Sequence, residues 1–492
     1  MTRSEPASVT RSHPAAVTRS HRAVLARPDD AAAPRPGSAR PFRLTIVHPC
    51  VGRFAGMRRY IRTWQMEPIP AAMLAGLAPP GVETRFYDDR LEPIPFDETT
   101  DLVAISVETY TARRAYQIAS EYRARGVPVV MGGFHATLCP EEVGRYAESV
   151  VIGEAEELFP RVVDDYRHGT PEKWYRSEER PTRLGTPDRS IFQGKRYLGI
   201  RLVEFARGCR FTCDFCAVQS FFGATQRHRD IDAVVAEVRR VRRPGRLIFF
   251  IDDNIVSDLE AAKELMRALI PLKIRWVSQA SINVAFDEEA LDLLRRSGCQ
   301  GLLVGFESLN PESLRAMKKG FNLMKGGPPA ALANFRRHGI RIYGTFIFGY
   351  DADTPETLDT TVRFAREEGL FIAAFNHITP FPGTPLEQRM RQEGRLRFDA
   401  WWLDEAYRYN MVPFHPKGMS HEELARLCVE ARRRFYSWKG IVSRGRHRVN
   451  RNSAFMLFHF LVINAMHQRD VEGRNGLPLG DEGWQGPLLE AG

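Results

Sequence analysis

The stretch YLGIRLVEFARGCRFTCDFCAV, Tyr197 to Val218, runs from a short apolar segment straight into a loop carrying three of the chain's seven cysteines. Cys209, Cys213 and Cys216 stand at a C-x3-C-x2-C spacing. A tight loop with three thiolates can hold one face of a metal cluster, and cysteine thiolates are the usual protein ligands of iron–sulfur clusters. Four cysteines would complete a four-iron cluster; three leave one iron open to an outside ligand. Zinc is the alternative. Structural zinc takes four ligands, commonly from paired short spacings, and no second C-x2-C occurs, so His228 or Cys299 would have to complete the set. A zinc-stabilised binding protein with no catalytic role therefore stays open at this point. Buried structural cysteines fit poorly beside Arg207, Arg210 and Asp214.

Downstream of the loop, strand-like and helix-like runs alternate. YLGIRLVEF, RLIFFIDD, IRWVSQAS, GLLVGFES, IRIYGTFIFG and AAFNHITPF read as six strands, separated by runs such as DIDAVVAEVRRV and LEAAKELMRAL. Repeating β/α units of this length predict a TIM-type barrel, here a partial one of six units, with its chemistry at the carboxyl ends of the strands. Upstream, FRLTIVHP, ETRFYDD, DLVAISVE, PVVMGGF and SVVIGE read as five strands interleaved with helices. That pattern predicts a doubly wound, Rossmann-like sheet binding its ligand beyond the strand carboxyl ends, near Ser106 to Thr109 and Gly132 to Thr137. The fold class is thus α/β. Its expected divisions are a disordered basic arm over 1–41, the doubly wound domain over 42–169, a polar linker over 170–196, the barrel over 197–385 and a helical region over 386–492.

The loop, with Phe215 just before its third cysteine, resembles the CxxxCxΦC motif of the radical S-adenosylmethionine superfamily. The resemblance spans about Tyr197 to Pro385. It implies a [4Fe-4S] cluster on Cys209, Cys213 and Cys216, with S-adenosylmethionine on the open iron as the source of a 5′-deoxyadenosyl radical. Asp252, Asp253 and Asn254 stand where many relatives carry a Gly-Gly-Glu that receives the methionyl amine. Glu307 and Ser308 match ribose or methionyl contacts; Thr345, Ile347 and Gly349 match the adenine motif of the fifth strand, with Thr345 where the family favours Gly. Ile378 to Phe381 would lie beside adenine, Phe381 among them.

A doubly wound domain ahead of such a barrel is similar to the cobalamin-binding branch of that superfamily. Ser106 and the pair Gly132-Gly133 match the elements around the buried nucleotide tail, while the Asp-x-His-x-x-Gly axial-ligand motif is missing. His48 and His135 read as hydrogen-bonded strand-end residues rather than cobalt ligands. The resemblance implies a cobalamin-dependent enzyme that methylates an unactivated carbon of a biosynthetic intermediate. An oxidative cyclase of the same architecture is the alternative.

The formal charge of +10 does not imply a nucleic-acid partner, because it is confined to two segments: residues 1–41 carry +4 and residues 431–451 carry +8, leaving the remainder at about −2. The second segment has three readings: a solvated face, a docking site for an acidic electron donor such as flavodoxin or ferredoxin, or a peripheral membrane contact. The apolar run Ala454 to Met466 is too short to span a bilayer. Seven cysteines without a disulfide-like framework suit a cytoplasmic location. Trp401, Trp402, Tyr407 and Tyr409 read either as a substrate-pocket lining, suited to an apolar small molecule, or as packing of helices on the barrel.

Overall fold

The structure, a computed structural model, describes residues 40–57, 65–177, 179–181, 183–473 and 475–491. The arm expected over 1–41 lies outside the described residues except for its last two.

The first sheet has six parallel strands: Phe42–His48, Val82–Asp88, Leu102–Ser106, Val129–Gly132, Ser149–Ile152 and Trp174–Arg176. In space they run second, first, third, fourth, fifth, sixth, so the order reverses between the first and third strands. Successive residues of a strand face opposite sides, and here both sides are covered. Leu102 and Ala104 pack with the helices Ile69–Leu77 and Leu158–His168, whereas Val103 and Ile105 pack with Ala112–Arg123. Burial on both faces is why the inner strands of this sheet read as apolar runs, unlike the two at its edges.

The stretch expected to be a linker, 170–196, does more than connect. Trp174–Arg176 adds the sixth strand, and Phe192 packs edge-on against Phe86 beneath the sheet. Its polar composition hid this because an edge strand needs only one inward residue, here Tyr175, which is fully buried.

The second sheet also has six parallel strands, in sequence order: Arg201–Val203, Leu247–Phe250, Arg275–Ala280, Cys299–Glu307, Arg341–Phe348 and Ile372–His377. Among the described residues the first and last do not pair, so the barrel is open on one side. Local sequence sets the helix starts. Asp230, Asp258 and Asp287 each accept a hydrogen bond from the backbone N–H three residues on, at Ala233, Ala261 and Ala290. One helix stop is as strict: Gly298 has φ +94°, and a Cβ there would lie 2.0 Å from the Ile274 carbonyl oxygen.

The carboxyl-terminal region is partly helical, as expected, and partly a strap. Helix His421–Tyr436 covers the last barrel strand, where the Tyr436 hydroxyl donates to the Ala373 carbonyl. Of the four aromatics, Tyr409 lines a cavity in the barrel, and the other three follow neither expected course. Trp401, Trp402 and Tyr407 join the core of the first domain, against Tyr116 and Val143. Trp402 Nε1 donates to Glu142 at 3.0 Å, and further on the Trp484 indole donates to Glu121. Among the described residues no helix is long and apolar enough to cross a membrane.

Gly298→Ala is expected to destabilise the fold by more than about 1 kcal/mol, read as a lower denaturant midpoint. An unchanged midpoint would contradict the close approach at Ile274.

Candidate functional site

Gly208, just before the first cysteine, has φ +89°, and a Cβ there would meet the Thr225 carbonyl at 2.3 Å. Only glycine turns the chain at that point. The loop that follows is fixed from several sides. Asp253 accepts from Gly208 N–H at 2.8 Å, Arg210 N–H donates to Ser257 at 2.9 Å, and Asp214 accepts from the buried Tyr350 hydroxyl. Asn254 Nδ2 points at Cys209 Sγ, 3.6 Å away, and also donates to Ser281. Cys216 caps the helix Ala217–Phe222.

Burial pushes the Cys213 thiol up to about 12 and raises Cys216 as well. Thiols buried like these two become thiolates only beside a compensating cation, which cluster irons supply. Among the described residues no three His, Cys, Asp or Glu side chains stand close enough together to hold one metal ion, the three loop cysteines included. Neither proposed fourth zinc ligand approaches the loop's sulfurs as one. Cys299 begins its barrel strand, at the end opposite the loop, and His228 lies against Phe205 in a short ribbon.

The residues matched to S-adenosylmethionine contacts divide in two. Glu307 ends the fourth strand at φ +61° and accepts from Lys319 Nζ at 2.6 Å, beside Cys213. Phe215, Ile347 and Phe381 line a cavity of about 440 Å³ inside the barrel, together with Tyr110, Asn376 and His377. The others hold structure. Asp252 is buried and receives the Phe205 N–H; Ser308 is fully buried and receives the Asn310 N–H. Gly349, at φ +106°, has no room for a Cβ between Leu424 and Phe414. Thr345 is not among the residues around the cavity.

A second cavity, about 260 Å³, lies where the first sheet's carboxyl edge meets the barrel. Ser106, Gly132 and Gly133 line it, and a Cβ on Gly133 would lie 3.0 Å from Ser106 Oγ. Its floor is apolar, with Ile69, Met73, Val130 and Phe159. Its barrel side is charged. Arg207 donates to Glu154 and Glu156 of the first domain and to Glu204 of the barrel, each at 2.8 Å. Asp253 faces this cavity, and burial raises its pKa to about 6. Glu108 opens onto the same space, and burial raises its pKa too. His135 is not available to it: fully buried, it sits between Glu142, 3.0 Å from Nε2, and Trp402.

The loop after Ser106 touches both cavities, Glu108 lining one and Tyr110 the other. With that geometry in place, two family profiles match: the Radical SAM superfamily over residues 203–365 and the B12 binding domain over residues 65–163. The bacteriochlorophyllide d C-12(1)-methyltransferase of Chlorobaculum tepidum is 32% identical over 389 residues, covering 77% of this chain and 84% of the relative. The chain belongs to the cobalamin-binding radical S-adenosylmethionine family. The anaerobic magnesium-protoporphyrin IX monomethyl ester cyclase of Cereibacter sphaeroides is 27% identical over 421 residues, covering 78% and 66%. Among solved structures, the radical S-adenosylmethionine methyltransferase TsrM of Kitasatospora setae, with cobalamin and a [4Fe-4S] cluster bound, shares the fold. Its TM-score is 0.54 at 19% identity, covering 72% of this chain and 78% of that one.

The family's cofactors are a [4Fe-4S] cluster, S-adenosylmethionine and cobalamin, and the sites fit them. The thiol loop suits the cluster. The glycine-walled slot with an apolar floor suits a nucleotide base, and a carboxylate-rich rim can accept from the primary amides of a corrin. Several residues here carried no motif in the sequence: Glu108, Glu154, Glu156, Tyr110 and Lys319. Glu154 and Glu156 did stand at a strand end, SVVIGEAEE, where a doubly wound sheet places ligand contacts.

Arg207→Leu leaves buried Glu156 and the partly buried Glu154 and Glu204 without this partner and is expected to destabilise the protein by about 3 kcal/mol or more, measured by denaturant unfolding. A second expectation concerns His377, which lines the barrel cavity. Burial lowers its pKa to about 4 from 6.5. The unfolded chain therefore takes up the proton first, so this contribution is intact above pH 6.5 and is lost as pH falls toward 4. The loss amounts to about 3 kcal/mol. His377→Gln should flatten that part of the stability–pH curve, and an unchanged curve would count against it.

Proposed function

We propose that the enzyme transfers a methyl group to an unactivated carbon of a large, apolar, ring-bearing biosynthetic intermediate. The observation that carries this reading is the loop Ser106 to Thr111, which forms a wall of both cavities and so brings the cobalamin-type site next to the barrel interior. When bound, the reduced cluster with S-adenosylmethionine supplies a radical that abstracts hydrogen, and cobalamin supplies the methyl group.

In this reading Cys209, Cys213 and Cys216 hold the cluster, and Asn254 and Lys319 donate hydrogen bonds or charge beside it. Glu307 receives the methionyl or ribose end of S-adenosylmethionine, while Phe215, Ile347 and Phe381 pack on its apolar parts. Ser106, Gly132, Gly133 and Asp253 line the cobalamin site. Tyr343, Tyr409 and Tyr436 give the barrel cavity an aromatic lining that suits a flat apolar substrate. The similarity to a bacteriochlorophyllide methyltransferase supports a ring-bearing substrate class. Phe381 packs edge-on against both Tyr110 and Trp401, which supports that wall of the cavity.

The electron source in this proposal is an acidic carrier of the flavodoxin or ferredoxin type, in a cytoplasmic setting. It is not tied to Arg432–Arg434. Arg432 lines the barrel cavity, Arg433 pairs with Glu472 and Arg434 with Asp359, so the three do not form one open face.

The test is anaerobic turnover of the reconstituted enzyme with cobalamin, S-adenosylmethionine and a reductant on candidate ring substrates. The expected result is a product heavier by one methylene per event, with 5′-deoxyadenosine formed. Product that has gained oxygen or lost hydrogens would overturn methyl transfer in favour of the cyclase reaction. The variant with Cys209, Cys213 and Cys216 all changed to Ala should bind no iron–sulfur cluster, and retained cluster absorbance would remove the cysteine assignment.

A further inference from the structure

Helix Ala454–Asp470, AFMLFHFLVINAMHQRD, is apolar nearly all the way round. Such a helix is normally buried on every side, and this one is not. Its inner side carries Met456, Phe460 and Asn464 into the protein, with Asn464 Oδ1 accepting from the buried Arg444. Its outer side leaves Phe458, Leu461 and Val462 in solvent, and the preceding helix Trp438–Gly445, which packs against it, leaves Trp438 and Val442 there too. Nine large apolar side chains are exposed among the described residues. Five of them fall in this short stretch, at 39% to 62% exposure.

The segment that carries Trp438 and Val442 is itself purely basic, although Asp359 and Glu367 of helix Pro355–Glu367 stand beside it near Ser443. Lys439, Arg446, Arg448 and Arg451 are exposed, and no acidic residue occurs between Ala431 and Arg451. Among the described residues none of the four has a carboxylate partner, unlike Arg433 and Arg434. Buried Arg444 is a separate case. It donates to the Leu370 and Phe371 carbonyls and lies 3.7 Å over the Phe435 ring. Aromatic and aliphatic side chains fringed by unpaired cations are the composition of a helix lying in the interface of an anionic bilayer. An acidic protein carrier would complement the charges but leave the apolar residues unexplained, since transient redox contacts are small and wet.

We propose that the outer face of Ala454–Asp470, with Trp438 and Val442, docks on an anionic lipid surface. The same helix ends at the barrel cavity, which His467, Asp470 and Val471 help to line, so a docked enzyme would hold that cavity close to the membrane. This proposal does not depend on which reaction the barrel performs.

The test uses the full-length reconstituted protein and vesicles of phosphatidylcholine alone or mixed equally with phosphatidylglycerol. Co-sedimentation is expected with the mixed vesicles only, and it should weaken as salt is raised. Phe458→Ser with Leu461→Ser should reduce binding at least about tenfold. Lys439→Glu and Arg448→Glu should each reduce it about fivefold. All four positions are exposed, and unchanged unfolding midpoints would confirm that the variants fold. No binding to the mixed vesicles, or binding that these substitutions leave unchanged, would overturn the proposal. So would a stable dimer in sedimentation that the Phe458 and Leu461 variant abolishes, which would give the face to a second copy. Flavodoxin binding lost on charge reversal, with no vesicle binding, would overturn it in favour of a protein donor.

Discussion

The placement of the two cofactor sites depends on one guanidinium. Arg207, two residues before the first cysteine, reaches Glu154 and Glu156 on the first domain while pairing with Glu204 on its own strand end. Buried ion networks of this kind add little net stability, since desolvation offsets most of the attraction, but a wrong arrangement leaves a charge unpaired and is strongly disfavoured. The network therefore fixes orientation. It sets the cluster loop against the edge of the first sheet, and Arg227 adds a second contact to Glu154.

Other interactions extend that constraint. The strap from Leu396 to Met411 and the last residues, Leu477 to Ala491, return to the first domain. Trp402 meets Glu142, Leu489 N–H meets Ser120, and Gly480–Asp481 pairs with Gly52–Arg53. The first domain is thus held both from the barrel's first loop and from its far end. Two cavities walled by a single loop, with Glu108 on one side and Tyr110 on the other, need such clamping: a small rotation between the domains would separate them.

What was legible in the sequence follows from what is local. All eleven expected strands are present, because nearly all are apolar runs bounded by turn residues, ETRFYDD being the polar exception at a sheet edge, and the cysteine triad is a contiguous pattern. The contacts that join the domains are not local. Glu154 and Arg207 are 53 residues apart, and nothing in either neighbourhood marks them as partners. The matched residues Ser308 and Gly349 show a second kind of case. The resemblance reads each as a ligand contact, whereas in the structure Ser308 accepts the Asn310 N–H and a Cβ on Gly349 would meet Leu424 and Phe414. The charged segment 431–451 shows a third. Its sum of +8 suggested a single surface, whereas the helix turns distribute it among a cavity wall, two surface ion pairs, a buried cation over an aromatic ring and an exposed rim.

The openness of the barrel explains where selectivity has to reside. A closed eight-stranded barrel fills its interior with layers of side chains and leaves the chemistry to the loops at one end. Six strands leave a gap, and here the interior holds a cavity of about 440 Å³. The strands contribute only Tyr343, Ile347 and the Ala373–His377 segment to its wall. Phe215 of the cysteine loop and Ile378, Thr379 and Phe381 after the last strand add to it, and the rest comes from outside the barrel: Tyr110 from the first domain, Tyr409 and Asn410 from the strap, and Arg432, Tyr436, His467, Asp470 and Val471 from the carboxyl-terminal region. The cluster loop is fixed by the needs of a common cofactor, so it varies little in what it must do. The groups that would meet a substrate sit on segments constrained by no shared motif, and the same freedom that lets them select a substrate leaves that substrate unwritten in the sequence.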